Sequence, residues 1–243
     1  MEFINTLING LNIGVIYAMI ALGYTMVYGI AKMLNFAHGD IIMVGGYTIY
    51  VFCAMSVASS PAFFFVAIAM AVIVCTLRGA SPLAVLITAI GVSYLLQSLA
   101  QIIFKSATKF VSVPDLGKVS LGAVSIKVST IITLAASIVV MVSLSLFVKY
   151  SKTGRAMIAV SEDRGAAQLM GINVNSIITI TFAIGSALAA LAGLFYLLQS
   201  PYIYNTFGAM PGIKAFTAAV IGGIGSIPGA MLGSIVLGMI ESI

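Results

Sequence analysis

The chain has 243 residues, of which 61% are hydrophobic and 7% are charged, and its formal net charge is +5. A soluble domain carries about 25% charged residues, and one core of this size cannot bury so much apolar surface. The composition therefore excludes an ordinary soluble protein and predicts a membrane protein. Its basic residues are neither clustered nor interleaved with aromatics, which excludes a nucleic-acid partner and fits loops beside anionic lipid headgroups.

Apolar runs recur along the whole chain. They cover 11–31, 41–58, 61–77, 83–104, 128–148, 174–199, 206–224 and 226–240. A spanning helix needs about 20 apolar residues, and these runs lack the polar–apolar alternation of barrel strands. The expected fold class is all-α, with 1–243 as a single transmembrane domain. This polytopic helical bundle would have about seven to eight spans, one of them broken or re-entrant.

A polar interruption separates the first two runs. It contains Asn35, His38, which is the only histidine of the chain, and Asp40. A histidine beside an aspartate inside a membrane is compatible with a proton relay. A short cytoplasmic turn between two helices explains the same residues and is the favoured interpretation. Asn35 and His38 are kept as candidates for a translocation path.

The charged loops set the expected orientation. The loops 105–127 and 149–173 each hold four basic residues, and one span separates them, so they are expected on opposite sides of the membrane. Lys32 and Arg78 fall on the same side as 149–173 when the spans are counted. Because basic residues concentrate in cytoplasmic loops, we expect 149–173 in the cytoplasm and Glu2 outside.

A charged, alanine-rich stretch at 161–171 stands out inside this apolar chain. Ser161 is a candidate N-cap, Glu162 and Asp163 suit the positive end of a helix dipole, and Gly171 suits the C′ position. The pattern predicts a surface helix of about three turns, within a cytoplasmic segment of about 150–173. A helix kept outside the bilayer is suited to docking on a partner. An ordinary amphipathic linker is the alternative.

Small residues recur at four-residue spacing near the end of the chain. Gly185, Ala189 and Gly193 form one series, and Gly225, Gly229 and Gly233 form another. Such spacing places small residues on one helix face, where neighbouring backbones approach closely. Helix packing is sufficient to explain both series.

A lysine interrupts the apolar run at 206–224. Lys214 lies between Pro211-Gly212 and the glycines Gly222, Gly223 and Gly225. Two interpretations stay open. The segment is a broken or re-entrant helix with an end near Lys214, of the kind that lines translocation paths, or Lys214 extends to the interface from an ordinary helix end.

Signatures of catalysis are absent from the sequence. A single histidine excludes a zinc site of the His-Glu-x-x-His kind, and Cys53 and Cys75 sit in apolar runs where they resemble small buried hydrophobes. We therefore expect no catalytic residue, no metal and no cofactor bound by this chain itself.

Four ordered motifs together resemble one known family. They are Leu34-Asn-Phe-Ala-His-Gly39, Leu86-Ile-Thr-Ala-Ile-Gly91, Gly154-Arg-Ala-Met157 with the 161–171 stretch, and Gly212 through Gly229. The chain is similar to the LivH-type permeases of bacterial branched-chain amino-acid ABC importers, from about Gly10 to Glu241.

The resemblance implies a multi-pass subunit of the bacterial inner membrane that moves branched-chain or related hydrophobic amino acids. Its implied partners are membrane lipid, a second permease, which is either a paralogue or another copy of this chain, two cytoplasmic ATPases that bind the ATP, and a periplasmic or lipid-anchored substrate-binding protein. The charged stretch would be the helix that docks on an ATPase. The implied docking residues are Glu162, Asp163, Arg164, Gly165, Ala166, Ala167, Leu169 and Gly171.

Two departures from the family accompany the resemblance. The basic stretch around Cys75 to Ser81 is short, and the chain ends at Ile243 where the family continues into a further span. We therefore expect further residues near 76–80 and after 243 in the intact protein. An ion-coupled secondary transporter is the alternative function, and the sequence offers it only His38, Asp40 and Lys214 as ionisable groups within the membrane.

Overall fold

A computed structural model describes residues 2–32, 35–54, 82–111, 117–121 and 124–243. The predicted span 61–77 and the short basic stretch near 76–80 lie outside these residues. The described helices are α1 (Glu2–Ala31), α2 (His38–Ala54), α3 (Pro82–Phe104), α4 (Val128–Tyr150), α5 (Lys152–Glu162), α6 (Arg164–Leu169), α7 (Val174–Gln199), α8 (Ala209–Gly222) and α9 (Ile227–Ser242). The described strands are β1 (Lys109–Phe110), β2 (Lys118–Leu121), β3 (Val124–Lys127) and β4 (Tyr202–Ile203).

The helical bundle predicted from composition is confirmed in these residues. Four helices are long and apolar enough to cross a membrane, and they cover Thr6–Ala31, Ile87–Phe104, Val128–Tyr150 and Val174–Gln199. The helices α2, α8 and α9 have 17, 14 and 16 residues and are shorter than a usual span. The total of seven to eight spans stays a prediction.

Helix α1 forms the centre of the bundle. Of the residues in its candidate membrane span, 83% are buried inside the protein, whereas 22% are buried in the candidate spans of α3 and α4. It packs against α4, α5, α7, α8 and α9. The peripheral helices turn large apolar side chains outward, among them Tyr94, Ile102 and Val139, as expected where lipid is the solvent. The apolar surface of α1 is thus covered by helices, whereas that of α3 and α4 is available to lipid.

The small-residue series mark close helix contacts, with one exception. A Cβ atom at Gly193 would lie 2.7 Å from the carbonyl oxygen of Ile42 on α2, and Gly185 faces Gly23 and Val27 of α1. Gly229 and Gly233 likewise lie against α8. Gly225 does not, because it sits in the turn before α9 with a φ of 99°. Helix packing is therefore confirmed for both series apart from Gly225.

The chain is mostly helical, as the all-α expectation had it, but it also forms short strands that the expectation did not include. Strands β2 and β3 pair antiparallel with Lys118 opposite Lys127 and Leu121 opposite Val124, and β1 pairs with β4. A backbone outside helices needs other hydrogen-bond partners, and strand pairing provides them. The sequence carried a signal for β2 and β3, since Lys118-Val-Ser-Leu121 and Val124-Ser-Ile-Lys127 alternate polar and apolar residues with period two.

The two charged loops lie at opposite ends of the bundle. Helix α4 begins directly after β3 and ends at Tyr150, one residue short of the Ser151 that precedes α5, and its 23 residues span about 35 Å. The pairing of β1 with β4 joins the loop after α3 to the loop after α7. We call this end the hairpin face and the opposite end, which carries α5 and α6, the α5–α6 face.

Candidate functional site: the α5–α6 segment and a buried polar junction

The charged stretch forms two helices rather than the single one predicted. Helix α5 continues through Ser161 to Glu162, and the Ser161 hydroxyl donates to the carbonyl of Ile158 at 2.6 Å. Asp163 is extended and caps α6, because its Oδ1 accepts from the backbone N–H groups of Gly165 at 2.7 Å and Ala166 at 3.1 Å. The N-cap is therefore Asp163 and the prediction of Ser161 was wrong.

Packing of α5 explains why Ser161 is not a cap. The buried residues of α5 are Gly154, Met157 and Val160, at a spacing of three that faces the bundle. Because this apolar face packs on the bundle, the helix continues beyond Ser161 to Glu162. Glu162 consequently lies at the C-terminal end of α5, where the helix dipole disfavours a negative charge. Its predicted role at the positive end of a helix was wrong.

The end of α6 agrees with the prediction for Gly171. The N–H of Gly171 donates to the carbonyl of Gln168 at 2.9 Å, and the N–H of Ile172 donates to that of Ala167 at 3.0 Å. This pair of bonds is a Schellman motif with Gly171 at C′. Its φ of 79° is a conformation that glycine adopts without strain.

The docking candidates divide between the surface and the bundle. Leu169 is 90% exposed and Met170 is 82% exposed at the end of α6, while Asp163, Arg164, Gly165, Ala166 and Gly171 are also exposed. Ala167 is 3% exposed and is turned to the bundle. Because a helix this short must bury one face to stay attached, Ala167 faces the bundle here, and its contact with a partner stays a prediction.

Arg164 connects the segment to the central helix. Its guanidinium donates to the backbone carbonyl of Ala31, the last residue of α1. The last carbonyls of a helix have no hydrogen-bond partner within the helix, and Arg164 provides a donor for one of them. Its positive charge also interacts favourably with the negative end of the α1 dipole. A displacement of α6 would therefore act directly on α1.

We expect Asp163→Ala to destabilise α6 by about 1 kcal/mol, the usual effect of removing an N-cap. Because α6 has six residues, that loss would detach much of it from the bundle. Asp163→Asn retains a capping oxygen without the charge and is the matched control. Hydrogen exchange at the backbone amides of Gly165 and Ala166 checks both variants, and equal losses of protection in both would show that charge rather than capping matters.

The polar interruption near residue 38 is a second site, and it is buried. Asn35, His38 and Asp40 are 5%, 2% and 2% exposed. The imidazole of His38 lies against Gly23, so that a Cβ atom there would overlap it. Gly23 is eight residues before the end of α1, a depth of about 12 Å along the helix. A short turn at 36–37 does join α1 to α2, as the favoured interpretation had it, but its polar residues are buried because α2 begins inside the bundle. A cytoplasmic location of this turn stays a prediction.

Each polar group at this depth has a distinct environment. Asn35 Oδ1 accepts from the N–H of Ala37 at 3.2 Å, which is an Asx-type turn that leads into α2. The ring centroids of His38 and Tyr24 lie 4.5 Å apart. The Nε2 of His38 has no hydrogen-bond partner within the described residues. Asp40 accepts from Gln97 Nε2 of α3 at 2.9 Å. Gln97 is a site residue that the sequence analysis missed, and no local pattern marks it.

We expect Gln97→Leu to destabilise the protein, because it leaves the buried Asp40 without this donor. Removing one partner of a buried hydrogen bond costs about 1–3 kcal/mol, and each kcal/mol lowers the melting temperature by about 2–4 °C in a chain of this size. Gln101→Leu is the control, since Gln101 is exposed one turn later on α3 and its amide donates to Ser106. Thermal unfolding in detergent measures both, and equal melting temperatures would contradict the role of Gln97.

Helix α8 reaches the same junction through close backbone contacts. A Cβ atom at Gly208 would overlap the carbonyl oxygen of Gly39, and one at Gly212 would lie 2.9 Å from the Cα of Gly39. The beginnings of α2 and α8 thus meet backbone to backbone. We call Asn35, His38, Asp40, Gln97 and this glycine contact the polar junction.

The predicted helix break exists, but at one end of the predicted segment. Helix α8 includes Pro211 and Gly212 in its first turn, where the missing N–H of proline has no consequence. It ends at Gly222, and Gly223 and Gly225 have φ of 91° and 99° before Ser226 caps α9. The chain therefore breaks at 223–225 and continues through Pro211-Gly212.

Lys214 is explained by a partner rather than by a helix end. Its Nζ donates to the carboxylate of Glu241 on α9, and both side chains are about one-third exposed. It lies in the second turn of α8. An ion pair lowers the free-energy cost of placing each charge near lipid. The presence of Lys214 in an apolar helix is therefore explained without a helix end beside it and without an unpaired lysine that extends to the interface.

These features define an integral membrane protein with the architecture of a transport permease. A family model described as "Branched-chain amino acid transport system / permease component" matches residues 6–243, and the chain belongs to this family. No solved structure matches the chain significantly.

Curated relatives share most of their length with the chain. It is 41% identical to the high-affinity branched-chain amino acid transport system permease protein BraD of Pseudomonas aeruginosa, over 99% of this chain and 86% of the relative. It is 39% identical to LivH of Escherichia coli, a protein described in the same terms, over 100% of this chain and 86% of the relative. A probable LivH permease of Methanocaldococcus jannaschii is 27% identical over 93% of this chain and 76% of the relative.

Proposed function

We propose that the chain is the permease subunit of an ABC importer that carries branched-chain or related hydrophobic amino acids across the bacterial inner membrane. Family membership and the names of the relatives support the substrate class. In this proposal the α5–α6 face is cytoplasmic and the hairpin face is periplasmic. The proposed bundle of seven to eight spans would count the shorter helices α2, α8 and α9 together with the predicted span 61–77.

The α5–α6 segment carries the proposal of coupling to an ATPase. It presents Leu169 and Met170 almost fully exposed at the end of α6, on a helix that is capped at both ends and joined to α1 by Arg164. Exposed apolar side chains on a rigid support outside the bilayer are suited to a protein partner. The proposed partners are two cytoplasmic ATPases, which bind the ATP, a second permease and a periplasmic or lipid-anchored binding protein.

The contacts along the bundle suggest how a movement would travel. Closure of the ATPases would displace α6, Arg164 would carry that displacement to the end of α1, and α1 contacts His38 of the polar junction at Gly23. Densely packed helices move as rigid bodies between discrete arrangements. The backbone contact between α2 and α8 would then open or close as a unit, with Asn35, His38, Pro211 and Gly212 beside the path.

Reconstitution tests the proposal directly. The chain is co-expressed with its partner subunits, purified and placed in proteoliposomes, and uptake of radiolabelled leucine is measured with ATP and binding protein. We expect uptake that requires ATP and stops when a partner ATPase is inactivated. Uptake by the purified chain alone under a proton or sodium gradient would contradict the proposal and favour the secondary-transporter alternative.

A further inference from the structure

A cavity of about 480 Å³ opens beside the α5–α6 segment. Its walls come from the end of α1, the end of α4, the last turns of α5 and the turn between α8 and α9. Cavities of about 300–1,000 Å³ are typical of small-molecule sites. This cavity is separate from the exposed end of α6 and from the polar junction, since Leu169, Met170, His38 and Asp40 do not line it.

The lining combines two opposite charges with apolar side chains. Lys32 and Glu162 both line the cavity, together with apolar residues that include Met26, Met157 and Ile227. In the described part of the chain the ion pair that forms is Lys214 with Glu241, so Lys32 and Glu162 line one cavity without pairing with each other. A ligand with one positive and one negative group could engage both.

A buried hydroxyl on the same wall lacks a partner. Thr25 lines the cavity and is 1% exposed, and its Oγ1 has no hydrogen-bond partner among the described residues. Buried polar groups are nearly always hydrogen-bonded, so an exception calls for an explanation. A ligand carboxylate or ammonium group would supply the missing partner.

We infer that this cavity binds a zwitterionic amino acid with an apolar side chain, which is the transported product on the cytoplasmic side. The inference rests on the proposed function. The carboxylate would accept from the Lys32 ammonium, the α-ammonium group would donate to Glu162, and the side chain would contact the apolar wall. Thr25 would hydrogen-bond one of the two charged groups.

Occupancy of the site would act on coupling. Glu162 is the last residue of α5 and directly precedes the N-cap of α6. A ligand that bridges Lys32 at the end of α1 and Glu162 would hold α5 against α1 and oppose movement of α6. Product that accumulates in the cytoplasm would bind preferentially to the state in which α5 is held against α1. Import would therefore slow as the product concentration rises.

The test uses the assembled complex without its binding protein. Binding of radiolabelled leucine and the ATPase rate are measured as leucine is titrated. We expect saturable binding and a falling ATPase rate, and we expect Lys32→Gln and Gly29→Leu to raise the leucine concentration needed for half-inhibition by about tenfold, as loss of one charged hydrogen bond or of cavity volume would. Among the described residues, a Cβ atom at Gly29 would meet only the Cα of Gly225, at 3.5 Å, so a leucine there would fill the cavity without disrupting a described helix contact.

Matched variants control for charge and bulk. Lys152→Gln removes an exposed lysine of α5 that does not line the cavity, and Gly91→Leu adds the same bulk where, in the part of the chain that the structure describes, a Cβ atom would meet nothing within 4 Å. Both should respond to leucine as the wild type does. Thr25→Val retains the shape of the side chain without its hydroxyl and should weaken leucine binding, and it supplies a readout if Gly29→Leu does not fold.

The outcomes separate this inference from the proposed function. Failure of ATP-driven uptake would overturn the proposed function itself. Normal uptake together with no binding of leucine to the complex, or with equal inhibition of wild type, Lys32→Gln and Thr25→Val, would overturn the inference alone. A phosphatidylethanolamine headgroup carries the same two charges, so loss of leucine binding when this lipid replaces phosphatidylglycerol in nanodiscs would assign the cavity to lipid and also overturn the inference.

Discussion

Gly208→Ala is expected to prevent the normal assembly of the bundle although it adds a single methyl group. A Cβ atom at Gly208 would overlap the carbonyl oxygen of Gly39, and the next atoms that it would meet are the carbonyl carbon of Gly39 and Cβ of Ile42. The obstruction is mostly backbone, which cannot rotate away. Overpacking of a tight core costs about 1–3 kcal/mol and occasionally more, and we expect the upper end here.

The measurements are the yield of monodisperse protein in detergent and its melting temperature. Gly91→Ala is the control, because that site is on an exposed face of α3 with no atom of the described residues within 4 Å of the added one. Alanine is favoured over glycine within a helix by about 1 kcal/mol, so the control should be at least as stable as the wild type. A Gly208→Ala protein with unchanged yield and melting temperature would show that α2 and α8 do not meet in this way.

Gly165→Trp is expected to abolish amino-acid uptake while the permease still folds and inserts. Gly165 is exposed, and of the atoms in the described ranges a Cβ atom there would meet only Asp163 Oδ1, at 3.3 Å. The substituted residue retains the N–H that donates to Asp163, so the cap of α6 remains. A large side chain on a docking surface holds the partner away, and a gap of 0.5–1 Å already forfeits a quarter to a half of the contact energy. We expect uptake to fall by about 100-fold, equivalent to nearly 3 kcal/mol of lost coupling.

Co-purification of the ATPase, ATP hydrolysis and uptake are followed together in reconstituted complexes. Ala166→Trp tests the same surface one residue later, and Gly91→Trp adds the same bulk to a helix face turned away from the bundle. Uptake should survive only in the Gly91 variant. If Gly165→Trp transports normally, the α5–α6 segment is a linker and the proposed docking surface is wrong.

Glu162→Lys needs a different interpretation from the one that the sequence suggested. At the end of α5 a lysine suits the helix dipole better than glutamate does, so the substitution should not destabilise α5. Any loss of uptake would then report on a partner contact or on the cavity beside Lys32, and not on helix stability. Leucine titration of this variant distinguishes the two, because only the cavity role changes product inhibition.

Local features of the sequence were sufficient to predict the long helices. The run 174–199 coincides with α7, and the run 83–104 agrees with α3 to within one residue. In lipid a continuous apolar stretch must satisfy its own backbone groups, so that helix formation follows from composition over a short window. The position of Gly171 was predictable for the same reason. The residue after a short helix often adopts a left-handed conformation, which glycine permits without strain.

Family membership and the class of function were also readable from the sequence, because they rest on ordered motifs. The alternation of β2 and β3 was equally local, and it was missed because composition favoured helices throughout. The N-cap was predicted at Ser161, and the structure has it at Asp163. The difference comes from the face of α5 that packs on the bundle and extends that helix past Ser161.

Only the tertiary structure decided the environment of the polar groups. Asp40 of α2 meets Gln97 of α3, and Lys214 of α8 meets Glu241 of α9. Lys32, the residue after α1, shares a cavity with Glu162 of α5. Burial of His38 likewise depends on where α2 begins relative to α1, and the contact of Gly39 with Gly208 depends on how α2 and α8 cross. Such contacts arise from the packing of helices whose order and tilt are set by shape complementarity over the whole bundle, and no window of neighbouring residues contains that information.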